Sequence, residues 1–124
     1  MIAEVSREIE ARKLKRIGII GTRTVMETRF YGRITSAEII PPAKPELDDV
    51  HQAYVSMAAS GSVTDDQRSI FNAACHRLLK EQGAEAIMLG GTDLALAFNE
   101  QTTEFPLVDC AAIHADAIAR LATA

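Results

Sequence analysis

Two short apolar runs end in the same way, and that repeated ending constrains the fold more than any other feature. Residues 86 to 89, Ala-Ile-Met-Leu, lie between Gly83 and the pair Gly90-Gly91, and Thr92 and Asp93 follow at once. An apolar run bounded by glycines reads as a strand buried on both faces. Residues 17 to 20, Ile-Gly-Ile-Ile, lead in the same manner into Gly21, Thr22 and Arg23. Each strand thus delivers small and hydroxyl-bearing residues at its carboxyl end, where ligands bind in open α/β sheets. The two strand-to-Gly-Thr turns are expected to be neighbours lining one site.

The rest of the chain alternates around these strands. Residues 3 to 15 carry Val5, Ile9 and Leu14 among charged side chains and predict a helix, with Glu8 and Arg12 at a favourable i,i+4 spacing. After the strand at 16–20, Thr24 and Glu27 have the spacing of a capping box, predicting a helix from 25 to about 31 that Gly32 stops. A second strand is expected over 34–40, ended by Pro41, Pro42 and Pro45. Pro45, with Glu46, Asp48 and Asp49 behind it, opens a helix to about residue 59. Gly61 breaks it, a further helix runs from 64 to 81, and Gly83 closes that one. The strand at 86–89, a short helix at 94–99, a strand at 106–109 and a last helix at 111–122 complete the order. Strands separated by helices imply a parallel sheet covered on both faces, an α/β sandwich of three layers with about four strands.

The chain has 124 residues, the size of one domain. Residues 1–15 are expected to form a linker-like helix ahead of a domain over 16–124. A net charge of −4 gives no electrostatic case for nucleic acid. No apolar run approaches the roughly 20 residues that cross a membrane. The acidic start of the chain does not resemble an export signal, so a cytoplasmic protein with free Cys75 and Cys110 is expected. No His, Cys, Asp and Glu cluster has metal-ligand spacing, and neither metal nor cofactor is expected.

Three segments carry a family resemblance. Gly21-Thr-Arg-Thr-Val-Met-Glu-Thr-Arg-Phe-Tyr31 resembles the Gly-Thr-x-x-Thr-Met-x-x-x-x-Tyr segment of the aspartate/glutamate racemases. Leu89-Gly-Gly-Thr-Asp93 is similar to that family's Leu-Gly-Cys-Thr-Glu, and Val108-Asp-Cys-Ala-Ala-Ile-His114 to its late Val-Asp-Thr-x-x-x-His. The resemblance implies a flavodoxin-like fold and covers only the second of the family's two similar domains. It also implies a two-thiol mechanism, in which one thiolate takes the α-proton and a second thiol returns one. The position matching the second thiol is Gly91, which can do neither. The expectation is therefore a racemase-family protein without racemase activity of its own, or a non-catalytic domain that binds a small acid or assembles with a partner.

Within that reading Gly21, Thr22, Gly91 and Thr92 are the candidate ligand-binding residues. Backbone N–H groups at a helix start suit a carboxylate, and glycines allow close approach. The resemblance adds Tyr31 as a cleft residue. The expected ligand is a small dicarboxylate or amino acid, and the expected assembly a homodimer or a pair with a separate first domain. The N-terminal helix, through Val5, Ile9 and Leu14, is a candidate element for exchange or packing between subunits. Cys110, beside Asp109 at the end of the fourth strand, is the remaining thiol candidate. Cys75 reads as a small core residue. Asp93 is expected to turn toward the helix that follows it, His114 to bond a loop, His51 and His76 to fill surface or core, and Arg23 and Arg29 to be solvated.

Overall fold

The computed structural model describes residues 2–98 and 103–123; of residues 2, 31 and 123 it describes the backbone only. Its strands are β1 (Arg16–Ile20), β2 (Glu38–Ile40), β3 (Ala86–Leu89) and β4 (Leu107–Asp109). Its helices are α1 (Ile2–Ala11), α2 (Arg23–Glu27), α3 (Lys44–Ser60), α4 (Asp65–Glu81) and α5 (Cys110–Thr123). All strand pairings are parallel, and the order across the sheet is β2-β1-β3-β4. β1 and β3 are neighbours, as the flavodoxin-like order requires, with Ile20 opposite Leu89 at their carboxyl ends.

Alternate residues of a strand face opposite sides, and here each side has its own core. Ile17, Ile19, Ile39, Ala86, Met88 and Val108 pack with Val5 and Ile9 of α1 on one face. Ile20, Ile40, Ile87, Leu89 and Leu107 pack on the other with α3 and α4, through residues such as Val50, Met57, Phe71 and Leu78. The layers are thus helix, sheet, helix. Each fully buried aliphatic side chain contributes roughly 1.5–3 kcal/mol. A Cβ on Gly18 would come within 2.9 Å of both Leu78 and Ile87. Its missing side chain is what lets α4 lie close on the sheet.

Val5 and Ile9 are wholly buried in this core. These two residues of the helix named as a candidate for exchange or packing between subunits thus lie in the chain's own core. The helix is also shorter than the expected 3–15. It stops at Ala11, Lys13 takes a left-handed φ of 57°, and the Glu85 carboxylate accepts the N–H groups of Lys15 and Arg16.

Other boundaries shift for physical reasons. The helix expected at 25–31 spans only Arg23–Glu27 and is capped by Thr22, not Thr24. Arg29 and Phe30 have φ of 53° and 61°, and this left-handed pair turns Phe30 into the core ahead of a 3-10 turn at Phe30–Gly32. The strand expected at 34–40 shrinks to its last three residues. Pairing begins only where β1 begins, at Arg16 opposite Glu38, although Ile34 is still buried. After β3 the chain forms a 3-10 turn at Thr92–Leu96 in place of a helix at 94–99, and residue 99 lies outside the described residues. α4 has a full capping box between Thr64 and Gln67, and Gly83 follows its C-cap with φ 73°. Among the described residues no helix is long and apolar enough to cross a membrane.

Candidate functional site

β1 and β3 end level, so the turns that follow them touch. The Gly90 N–H donates to the Ile20 carbonyl at 3.0 Å. A Cβ on Gly21 would lie 3.6 Å from the Gly90 backbone. Gly21-Thr22 and Gly90-Gly91-Thr92 therefore stand side by side at the carboxyl edge of the sheet, as their shared pattern predicted.

The first turn is built by Thr22 and by α3. The Thr22 hydroxyl accepts from the Val25 N–H at 3.5 Å, a long cap bond. The Arg23 N–H donates to His51 Nδ1 at 2.9 Å. An imidazole nitrogen that accepts a hydrogen bond carries no proton, so the His51 proton sits on Nε2 whenever this bond is made. The Arg23 guanidinium pairs with the Asp48 carboxylate. Arg23 is thus anchored to α3 and not free in solvent, and His51 is a cap and not a filler.

The second turn is closed by a different residue of the same helix. Tyr54 is 7% exposed. A Cβ on Gly91 would fall 2.3 Å from the Tyr54 hydroxyl oxygen and 2.8 Å from ring carbon Cζ. The Tyr54 hydroxyl donates to Asp93 Oδ2 at 3.1 Å. Asp93 therefore turns back toward α3 and not toward the rest of the 3-10 turn that contains it. Burial, and then the Asp93 charge, hold the Tyr54 phenol above its ordinary pKa, so it is neutral at physiological pH. The Tyr54 ring fills the space beside Gly91.

Both thiols are buried. Cys110 is buried on the α1 face of the sheet, and its Sγ meets the Val108 carbonyl at 4.0 Å. Burial first, and the neighbouring Asp109 charge second, push it up to about 12. Cys75 sits in the opposite core, its pKa raised by burial and by Glu46. A proton-abstracting thiolate needs the opposite surroundings, a cation or helix start and access to solvent. Cys75 is buried within α4, and Cys110, although it begins α5, is buried beside the Asp109 charge, which makes the thiol candidate a core residue. Asp109 beside it caps α5, accepting from the Ala112 N–H at 3.0 Å.

The remaining candidates separate from the turns. His114 Nδ1 lies 3.6 Å from Glu4 Oε1 of α1, beyond hydrogen-bond distance, so the side chain faces a helix and not a loop. The Tyr31 side chain lies outside the described residues. Thr92 is exposed, and the 3-10 turn it begins has no side-chain cap. Among the described residues no group of three or more His, Cys, Asp or Glu could hold a metal. Two grooves lie away from the turns. One of about 560 Å³ runs between α1 and α5, and one of about 230 Å³ is bounded by Glu27, Arg29, Pro41, Pro42, Lys44 and Leu47.

The two residues that sequence reasoning missed are His51 and Tyr54. They stand three apart on α3, a spacing that puts both on one helical face. That spacing is visible in the sequence. That this face crosses the tops of β1 and β3 is not.

The family profile described as Asp/Glu/Hydantoin racemase matches residues 1–118. Among solved structures, the chain is similar to a candidate Asp/Glu racemase from Yersinia pestis at 29% identity, with a TM-score of 0.86 over 99% of this chain and 55% of that one. It has the fold of an aspartate racemase homologue from Pyrococcus horikoshii, at 23% identity, a TM-score of 0.80 and the same coverages. It also shares the fold of the Picrophilus torridus aspartate racemase, at 15% identity and a TM-score of 0.65 over 94% of this chain and 51% of that one. The chain thus spans about half the length of the structures it matches.

Proposed function

The chain belongs to the Asp/Glu/Hydantoin racemase family, and we propose that it is a member that binds a small carboxylate or other anion without racemising it. The observation that carries this reading is the adjacency of the two turns together with the burial of both thiols. The two strand-end turns stand side by side where β1 and β3 meet. Position 91 has no side chain, and Cys75 and Cys110 are buried in the two cores. Binding needs no ionised side chain, whereas exchange of an α-proton needs a base and an acid on opposite faces.

The ligand class that fits is a small dicarboxylate or amino acid. Its affinity should be weak, roughly millimolar, because a single half-length domain supplies few contacts. The protein acts in the cytoplasm, and it pairs with a second copy or with a separate first domain. Sedimentation at tens of micromolar tests the pairing, and a clean monomer would leave only the separate domain.

The test of inactivity is chiral chromatography after incubating the chain with L-aspartate and L-glutamate, separately. No D-enantiomer above the uncatalysed background is expected. Turnover that disappears in Cys110→Ser would overturn the reading.

A further inference from the structure

Gly91 has φ −150° and ψ 146°. This is extended backbone that any residue adopts, so the chain itself does not require glycine there. The requirement comes from across the turn. A Cβ at 91 would meet the Tyr54 hydroxyl oxygen at 2.3 Å, Cζ at 2.8 Å and Cε2 at 2.9 Å. All three atoms belong to the outer half of the ring. The ring cannot easily retreat. Tyr54 is buried, it belongs to the core formed with α4, and its hydroxyl is tied to Asp93.

We propose that Tyr54 is the residue that determines what the second turn can hold, because its phenol ring and any side chain at position 91 exclude one another. Position 91 is then fixed as glycine by Tyr54 of α3 and not by its own backbone conformation. The consequence for the anion site rests on the function proposed above: with Tyr54 in place the second turn can recognise a ligand only through backbone and hydroxyl donors. The steric claim itself stands without any ligand.

The exclusion predicts a reversal of sign. Gly→Ala at an extended position ordinarily stabilises, because it restricts the unfolded chain. In the native background Gly91→Ala should instead lower Tm by roughly 4 °C or more, as overpacking does in a chain of this size. In a Tyr54→Leu background, which lacks the three colliding atoms, the same Gly91→Ala should leave Tm unchanged or raise it. In Tyr54→Phe, which keeps Cζ and Cε2, it should still lower Tm. Tyr54→Met, whose chain can bend aside, is a second background should Tyr54→Leu fail to fold. Thermal unfolding followed by circular dichroism reads all of these on the full chain. A Gly91→Ala protein with the native Tm would overturn the proposal, whatever the other backgrounds do, and so would an equal loss in the native and Tyr54→Leu backgrounds. A chain that shows the reversal but binds no aspartate would keep this inference and remove the anion site.

Discussion

At the end of β1 the chain enters an α-helical turn whose N–H groups are met by Thr22 and His51, whereas at the end of β3 it enters a 3-10 turn with no side-chain cap. Both turns begin with glycine and threonine. Their glycines nevertheless serve different needs. A Cβ on Gly21 would make its closest contact at 3.3 Å, with Val25 Cγ1, whereas one on Gly90 would come within 2.5 Å of the same atom and 3.1 Å of the Ile20 carbonyl oxygen. The first turn is tied down by hydrogen bonds to a helix, and the second is packed shut against two neighbours. The lesson is that a shared strand-Gly-Thr pattern fixes where the turns lie but not how each is held.

Substitution of the glycines gives the largest expected contrast. Gly90→Ala should destabilise by about 3 kcal/mol, since one of its clashes is with backbone that cannot move aside, while Gly21→Ala should cost under about 1 kcal/mol. Urea unfolding with unchanged m-values measures both. Equal losses would erase the difference between the turns.

The cap residues come next. His51→Ala leaves the Arg23 N–H without its acceptor and should cost about 1–2 kcal/mol, with His51→Asn recovering part of it. Thr22→Ala should cost less, about 0.5–1 kcal/mol, because its cap bond is already long at 3.5 Å. On the other turn, Tyr54→Phe should cost about 1 kcal/mol through the lost bond to Asp93. Thr92→Ala should stay within about 0.5 kcal/mol, as a surface substitution at an uncapped start. A Thr92 effect larger than that of Thr22 would invert the account of which turn is capped.

The smallest effect is acid sensitivity away from both turns. The Lys15 and Arg16 N–H groups hold the Glu85 carboxyl below its ordinary value of 4.5. A depressed folded pKa gives a contribution that is present above the unfolded value and lost as pH falls through the folded one. Stability should therefore decline below about pH 4.5, and Glu85→Gln should make that decline shallower without changing the relative order of the turn variants.

Much of this was legible in the sequence. The strands at 16–20 and 86–89 stand where their apolar runs lie, and the parallel four-stranded sheet follows from the alternation of elements. The turns meet because their strands pair. What could not be read was set by tertiary contact. Strand pairing limited β2 to residues opposite β1, and the left-handed pair at Arg29 and Phe30 depended on a core for Phe30 to enter. Cys110 looked placed for chemistry by its neighbours in sequence, but which face of the sheet it joins is a property of the folded chain. His51 and Tyr54 had no local signal, since each gains its role from a turn at least 28 residues away.

The account's central claim is that the two turns form one anion site that works without a thiol. The most direct measurement is a titration of the ¹⁵N-labelled full chain with L-aspartate, following the backbone amide shifts. The Thr22 and Thr92 amides should shift together and saturate with one roughly millimolar dissociation constant, and both shifts should weaken in Thr22→Val. Amides at both turns that stay unmoved into the high millimolar range, or that saturate with unrelated constants, would contradict it.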